Sequence, residues 1–193
     1  MENKTDELVK YRKDYRPAPY LINSVNLTVE LGEEMTLVTS SMHVHHNSKA
    51  EKAKDLVLDG REQDIVAIKI NDKVLDKNAY KQADEDLTIF NAPDDFMLEI
   101  KTHIKPQENT TLMGLYKSSG NYCTQCESDG FRRITYCLDR PDVMSKYETT
   151  IIGDKTSCPV LLSNGNLVDH GELDDGRHFA KWDDPFKKPC YLF

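Results

Sequence analysis

The sequence predicts an all-β fold, with mostly antiparallel sheets in a sandwich or saddle-like arrangement and little helix. Apolar and polar residues alternate with period two over many short segments, as they do in strands that bury one face. Turn-forming residues separate these segments at short intervals, which is typical of sheets built from hairpins. Apolar residues make up 38% of the 193 residues, enough to form the core of a single domain of this length.

The first strands follow a charged segment. Residues 1–19 end in Arg-Pro-Ala-Pro, and we expect an extended lead-in there, because proline restricts the residue before it. Residues 20–193 are then predicted to form one β domain. Alternation over residues 20–31 predicts the first strand, and residues 35–45 predict the second after a Gly-Glu-Glu turn.

The remaining strands are mostly shorter. They are predicted over residues 55–58, 65–70, 73–75, 87–90, 96–104, 149–152, 160–163, 166–173 and 177–182. Asn164-Gly165 is a strong turn signal and predicts a hairpin between residues 160–163 and 166–173. The best helix signal is Pro141 close to a first helical position, which predicts one short helix over residues 139–145.

Bulk properties exclude several functions. The formal net charge of −8 argues against nucleic acid, which requires a basic surface. No apolar run approaches the roughly 20 residues that span a bilayer. Residues 1–7 are polar, so we expect no secretory signal, and five cysteines at irregular spacing are expected to be reduced thiols. A cytoplasmic protein is the expectation.

Histidines and cysteines offer two candidate metal sites. His43 and His45 point to one face of the second strand, roughly 7 Å apart, which suits a shared metal, but no acidic residue or cysteine of obvious spacing completes a set with them or with His46. We interpret them as a solvated strand face. Cys123 and Cys126 form one Cys-x-x-Cys pair and lack the second ligand pair that a structural zinc site needs.

Cys137 and Cys158 have no neighbour at ligand spacing, and we interpret the thiols as buried or incidental. The sequence also contains no His-Glu-x-x-His, no Gly-x-Ser-x-Gly and no phosphate-binding glycine-rich loop. We therefore expect neither a complete catalytic site nor a bound metal in this chain.

Residues 114–142 are the most unusual stretch, because they mix glycine, aromatic, amide, carboxylate and arginine side chains with little strand periodicity. Such loops often form binding surfaces on a β scaffold. The alternative is a long connection between two sheets in which Arg132, Arg133 and Arg140 pair with nearby acids. Composition alone favours the connection.

The same stretch resembles the N-terminal domain of bacterial alanyl aminopeptidases, the aminopeptidase N enzymes of the gluzincin zinc-peptidase class. The resemblance runs nearly end to end, from Lys10-Tyr11-Arg12 to the final Pro-Cys-Tyr-Leu-Phe. The motifs that carry it are Gly-Leu-Tyr at 114–116, Thr-Gln-Cys-Glu at 124–127, Gly-Phe-Arg at 130–132, Ile-Thr-Tyr at 134–136 and Leu-Asp-Arg-Pro-Asp-Val at 138–143, and the block from Gln-Cys-Glu to Arg-Pro-Asp is the most specific part.

The resemblance implies that this domain packs against a separate catalytic domain, which supplies the zinc and all of its ligands from outside this chain. It implies peptide substrates with a free N-terminus. Gln125 and Glu127 match the residues that line the family's S1 pocket beside the substrate's amine. Cys126 between them is expected to point into the β scaffold, and Arg132 with the turn at 139–142 is expected to brace the loop.

Two alternatives remain open from the residues themselves. One is a non-enzymatic β-sandwich module that binds a partner protein through the loop at 125–127. The other is a small zinc protein that uses Cys123, Cys126 and histidines.

Overall fold

The computed structural model describes residues 11–193, and it confirms the all-β fold. The described strands are β1 (Tyr20–Glu30), β2 (Thr36–His46), β3 (Leu56–Asp59), β4 (Asp64–Ile70), β5 (Lys73–Val74), β6 (Tyr80–Gln82), β7 (Asp86–Ile89), β8 (Asp95–Ile104), β9 (Gly114–Ser118), β10 (Asn121–Gln125), β11 (Ser145–Asp154), β12 (Asn166–Glu172) and β13 (Arg177–Lys188). Short 3-10 helices lie at Arg12–Asp14, Lys77–Ala79, Phe131–Arg133 and Cys190–Leu192.

The lead-in predicted over residues 1–19 can be compared only in part, because residues 1–10 lie outside the described residues. The Arg12–Asp14 turn interrupts the extended chain that was expected there. The backbone is extended again at Tyr15, immediately after this turn.

Eight strands form the largest sheet, in the order β12-β13-β11-β1-β2-β8-β4-β5. Adjacent strands of this sheet are antiparallel, except for β1 and β11, which run parallel. A three-stranded sheet, β3-β7-β6, and the β9–β10 hairpin complete the described fold. The mostly antiparallel arrangement agrees with the prediction, since period-two alternation follows from burying one face of such a sheet.

One hydrophobic cluster joins the large sheet to the smaller one. Along β2 the buried residues alternate, and Val38, Met42 and Val44 are all fully buried. Leu58 of β3 and Leu87 of β7 belong to the same cluster. The alternation that predicted these strands therefore corresponds to a buried face of the sheet.

The strand predicted over residues 160–163 is wrong. The segment is irregular, and Asn164-Gly165 leads directly into β12 rather than turning a hairpin. β12 pairs instead with β13, after the turn at residues 174–176. Gly165 has φ +91°, and a Cβ there would lie 2.2 Å from the carbonyl oxygen of Asp183, so close backbone approach explains the glycine.

The helix predicted over residues 139–145 is also wrong. Residues 141–142 form a turn, and Ser145 already begins β11. Arg140 donates from Nε and Nη2 to the carboxylate of Asp142 at 2.8 and 2.7 Å. Residues two apart do not face each other on a helix, so the contact between Arg140 and Asp142 favours the turn.

Candidate functional site

The loop that carries Gln125 and Glu127 follows a hairpin that the sequence did not predict. β9 and β10 pair antiparallel, with Gln125 opposite Gly114 at the open end. Neither strand alternates cleanly between buried and exposed positions, because much of the hairpin is accessible. This lack of a single buried face explains why residues 114–125 resemble an irregular connection in sequence.

Exposure alternates at the end of β10. Gln125 and Glu127 are exposed, whereas Cys126 between them is 1% exposed and belongs to the core. The expected direction of Cys126 is therefore confirmed. The Oε1 atom of Gln125 accepts a hydrogen bond from the backbone N–H of Glu127 at 3.2 Å, which ties the two residues together.

The buried thiol is unsuited to nucleophilic chemistry. Burial raises the pKa of Cys126 to about 12, with smaller contributions from Cys190 and Asp139. The reactive species of cysteine is the thiolate, so this residue is protonated at neutral pH. Its contribution to the loop is packing, while the two exposed side chains remain available to a ligand.

Close backbone packing fixes the loop against the hairpin. The N–H of Gly130 donates to the carbonyl oxygen of Cys126 at 2.9 Å. A Cβ on Gly130 would lie 2.5 Å from the carbonyl oxygen of Gln125 and 2.9 Å from the backbone nitrogen of Gly114. Only glycine fits this position without moving the backbone that carries Gln125.

Arg132 braces the far side of the loop. Its Nε donates to Asp139 Oδ2 at 2.8 Å, and its Nη1 lies 3.5 Å from Asp59 Oδ1. Its carbonyl oxygen accepts hydrogen bonds from the backbone N–H of Arg61 at 3.0 Å and from Nε2 of Gln63 at 2.7 Å. These contacts link the loop to the segment that follows β3, as the bracing prediction requires.

The turn at residues 139–142 is held in a similar way. The hydroxyl of Tyr15 donates to Asp142 at 2.8 Å, and Arg140 donates to the carbonyl oxygen of Arg16 at 2.8 Å. The hydrogen bond from Arg140 is the largest cause that lowers the pKa of Asp142, and Tyr15 adds to it. The turn therefore anchors the end of the lead-in to the domain.

The histidines of β2 lie on an ordinary strand face within the described residues. His43 Nε2 is 3.0 Å from Asp95 Oδ1, and the rings of His43 and His45 are 6.1 Å apart. His46 packs edge-on against Tyr20 with 5.8 Å between the ring centroids. Across residues 11–193, none of these histidines joins a group of three close metal ligands.

A cluster that the sequence did not predict lies inside the domain. Cys137, Asp139 and Cys190 are all buried, and their ligand atoms lie within 4.8 Å of one another. The interpretation of Cys137 as isolated is therefore wrong. Cys190 is distant in the sequence and reaches the cluster through the turn after β13, so no local spacing could have revealed the group.

An apolar groove of about 370 Å³ lies between the β9–β10 hairpin and residues 157–163. Val160 and Leu162 are 68% and 70% exposed beside it, and Leu115 and Phe193 also line it. Thr124 reaches the groove, so this surface begins one residue before Gln125. Large exposed apolar side chains grouped in this way are typical of interaction surfaces and ligand-binding grooves.

Within residues 11–193, no helix has the length and apolar character needed to cross a membrane.

Sequence comparison finds a family for nearly the whole chain. The family described as Peptidase M1 N-terminal domain matches residues 15–192. The chain is 47% identical over 185 residues to aminopeptidase N of Escherichia coli (strain K12), and 45% identical over 187 residues to aminopeptidase N of Haemophilus influenzae. Each match covers 95% of this chain and 21% of the relative, so the chain spans about a fifth of their length.

Solved structures agree with these matches. Aminopeptidase A of Legionella pneumophila, solved in complex with aspartic acid, superposes with a TM-score of 0.91 and 37% identity over 95% of this chain and 22% of that chain. An M1 zinc metallopeptidase of Deinococcus radiodurans superposes with a TM-score of 0.76 at 14% identity, covering 91% of this chain and 41% of that chain. At that identity the second likeness shows the fold alone.

Proposed function

The chain belongs to the Peptidase M1 N-terminal domain family, and from that premise we propose that it is the substrate-anchoring domain of a zinc-dependent aminopeptidase. The relatives that support this are named aminopeptidase N and match along 95% of this chain. The sequence contains no His-Glu-x-x-His, so the zinc and its ligands are assigned to the catalytic domain of the longer protein. Peptides with a free N-terminus are the proposed substrates.

The observation that carries the proposal is the exposed pair Gln125 and Glu127 on a rigidly packed loop. The α-ammonium group of a peptide loses several kcal/mol of solvation when it enters a closed site, unless an anion and hydrogen-bond acceptors replace water. Glu127 supplies the anion. The role is one of positioning and specificity, and it transfers no proton.

Gln125 has a complementary role. Its Oε1 atom already accepts the hydrogen bond from the N–H of Glu127, which leaves its NH₂ group free to donate. An amide donor suits a carbonyl oxygen of the substrate better than it suits the ammonium group. We therefore assign the amine to Glu127 and an adjacent carbonyl oxygen to Gln125.

The test is Glu127→Ala in the full-length protein. Loss of a charge contact worth about 1.5–4 kcal/mol lowers kcat/KM for peptides with a free amine by roughly 10- to 1000-fold. Glu127→Gln keeps the shape and removes the charge, so it is expected to lose most of the same activity. Asp129→Ala is the matched control, because Asp129 is an exposed carboxylate in the same loop.

Unchanged kinetics of Glu127→Ala would remove this residue from the site. An equal loss in Asp129→Ala would show that the loop acts through its general charge and not through one carboxylate. The kinetics of each variant are measured with peptides of two lengths. Metal analysis measures the zinc loading of each variant independently, so a loss of metal is separated from these outcomes.

We also propose that the apolar groove receives the catalytic domain. In the isolated chain Leu162→Asp is expected to be nearly neutral for stability, because the side chain is already 70% exposed. In the full-length protein the same change buries a charge at the interface and lowers the unfolding midpoint. Equal effects in the two proteins would rule out this groove as the interface.

The isolated chain is proposed to have no peptidase activity and to self-associate through the uncovered groove. A fluorogenic peptide assay tests the first statement, and sedimentation velocity over a range of concentrations tests the second. Turnover by the purified chain would contradict the assignment of catalysis to another domain.

A reducing cytoplasmic location is proposed for the protein. All five cysteines are free thiols in the structure, and free thiols are typical of reducing compartments. Thiol titration of protein isolated under acid-quenched conditions tests it, with five reactive thiols expected after denaturation.

A further inference from the structure

We propose that Cys137, Asp139 and Cys190 form a binding site for one thiophilic divalent metal ion, such as zinc, inside this domain. The three ligand atoms converge from two segments of the chain and lie within 4.8 Å of one another. All three residues are buried. The role of such an ion would be to fix the turn after β13 to the segment that precedes β11.

The spacing of the ligand atoms is close to what a tetrahedral ion requires. With Zn–S bonds of about 2.3 Å, two sulfur ligands of a tetrahedral site lie about 3.8 Å apart. Atoms within 4.8 Å of one another therefore need to approach by about 1 Å or less. Side-chain rotation can supply a movement of this size without changing the strands.

Asp139 is already oriented by groups outside the cluster. Its Oδ2 accepts from Nε of Arg132 at 2.8 Å, and its backbone N–H donates to Asp59 at 3.0 Å. Its Oδ1 is turned toward Cys190, whose Sγ lies 3.0 Å away. A carboxylate held on one oxygen by arginine, with the other oxygen facing a thiol, has the outer contacts that metal ligands usually have.

Arg132 offsets part of the charge of the site. Two thiolates and one carboxylate around a divalent ion leave a net charge of −1, and the guanidinium of Arg132 lies beside this carboxylate while it also contacts Asp59. Cysteine binds a metal as the thiolate, so metal binding releases the proton of each thiol that is protonated beforehand.

Cys126 packs in the same hydrophobic cluster as Cys137 and Cys190, but it does not belong to the group of close ligand atoms. Arg132, which braces the loop, binds Asp139, so an ion at this site would lie next to the loop proposed to bind substrate. The competing explanation is a metal-free hydrogen bond from the thiol of Cys190 to Asp139.

The experiment titrates the 193-residue chain, freed of metal with a chelator, with Cd²⁺. One equivalent is expected to bind, with an ultraviolet sulfur-to-cadmium charge-transfer band. Zinc is expected to displace the cadmium and remove that band. Because the thiols bind as thiolates, the apparent affinity is expected to rise with pH.

Cys137→Ser and Cys190→Ser are each expected to abolish the band. Cys123→Ser and Cys158→Ser are the matched controls, because their thiols are only half-buried and lie outside the cluster. Circular dichroism checks that each variant folds. If the core variants do not fold, alkylation of the unsubstituted chain in mild urea replaces them, and zinc is expected to protect Cys137 and Cys190 and to leave Cys123 reactive.

The proposal is overturned if no stoichiometric binding occurs. It is also overturned if Cys123→Ser or Cys158→Ser removes the band, or if zinc fails to protect Cys137 and Cys190. The result does not depend on peptidase activity, so it stands or falls separately from the proposed function.

Discussion

Replacing Arg132 with alanine is expected to destabilise the domain by about 3–5 kcal/mol, because it removes one partner of a buried ion pair. The side chain of Arg132 is 16% exposed and that of Asp139 is only 2% exposed. Without the guanidinium, Asp139 keeps the backbone N–H of Arg132 at 3.3 Å and the thiol of Cys190 as donors. Those donors are too weak to solvate a buried carboxylate, which explains the size of the loss.

Arg177 offers a matched control. It also contacts two carboxylates, with Nε 2.7 Å from Asp175 Oδ2 and Nη1 3.1 Å from Glu30 Oε2, but its side chain is 36% exposed. Exposed ion pairs contribute about 0–1 kcal/mol. Arg177→Ala is therefore expected to lower the free energy of unfolding by less than about 1 kcal/mol.

Urea unfolding followed by the fluorescence of the single tryptophan, Trp182, measures both variants. The double variant Arg132→Ala/Asp139→Asn removes the buried charge as well, so it is expected to lose less than the sum of the two single changes. Equal losses for Arg132→Ala and Arg177→Ala would refute the reasoning. Strict additivity in the double variant would refute it as well.

Two other predictions concern the loop and the turn beside it. Gly130→Ala is expected to destabilise the domain by about 1–3 kcal/mol, because the new Cβ meets backbone atoms of Gln125 and Gly114. The urea concentration at the midpoint of unfolding is expected to fall accordingly. Asp142 has a pKa held below 3.8 chiefly by Arg140, so it contributes stability above about pH 3.8 that is lost as the pH falls through the lowered value. Asp142→Asn is expected to flatten the dependence of stability on pH in that acidic range, and an unchanged profile between Asp142→Asn and the unsubstituted chain would contradict this.

Most of the fold could be predicted because burial of one sheet face leaves a period of two in the sequence. β1, β2 and β8 show it most clearly, and their predicted positions are close to the observed bounds. The β9–β10 hairpin shows no such period, since it buries no single face. The alternation of apolar and polar residues therefore cannot predict this hairpin.

The two wrong elements have a common cause. Residues 160–163 have the composition of a strand, yet no strand pairs with them, and pairing is decided by partners that are distant in the sequence. The Asp-Arg-Pro-Asp segment has a helix-start signal, but the contacts of Arg140 and Asp142 hold it as a turn. Local signals establish which conformations are available, and tertiary contacts select among them.

The candidate site also has a part that the sequence predicts and a part that depends on tertiary contacts. The resemblance places Gln125 and Glu127 together, and the alternation of exposure around Cys126 follows from strand geometry. The group of Cys137, Asp139 and Cys190 depends on the turn after β13 folding back onto the segment before β11. No sequence spacing encodes that contact, so only the structure reveals it.

The central claim is that Glu127 holds the substrate's amine, and the most direct measurement is a structure of the full-length protein with a bound amino acid. We predict a carboxylate oxygen of Glu127 about 2.7–3.2 Å from the α-ammonium nitrogen, with the NH₂ group of Gln125 facing the ligand. An α-ammonium bound entirely by groups of the catalytic domain, with Glu127 directed into solvent, would contradict it.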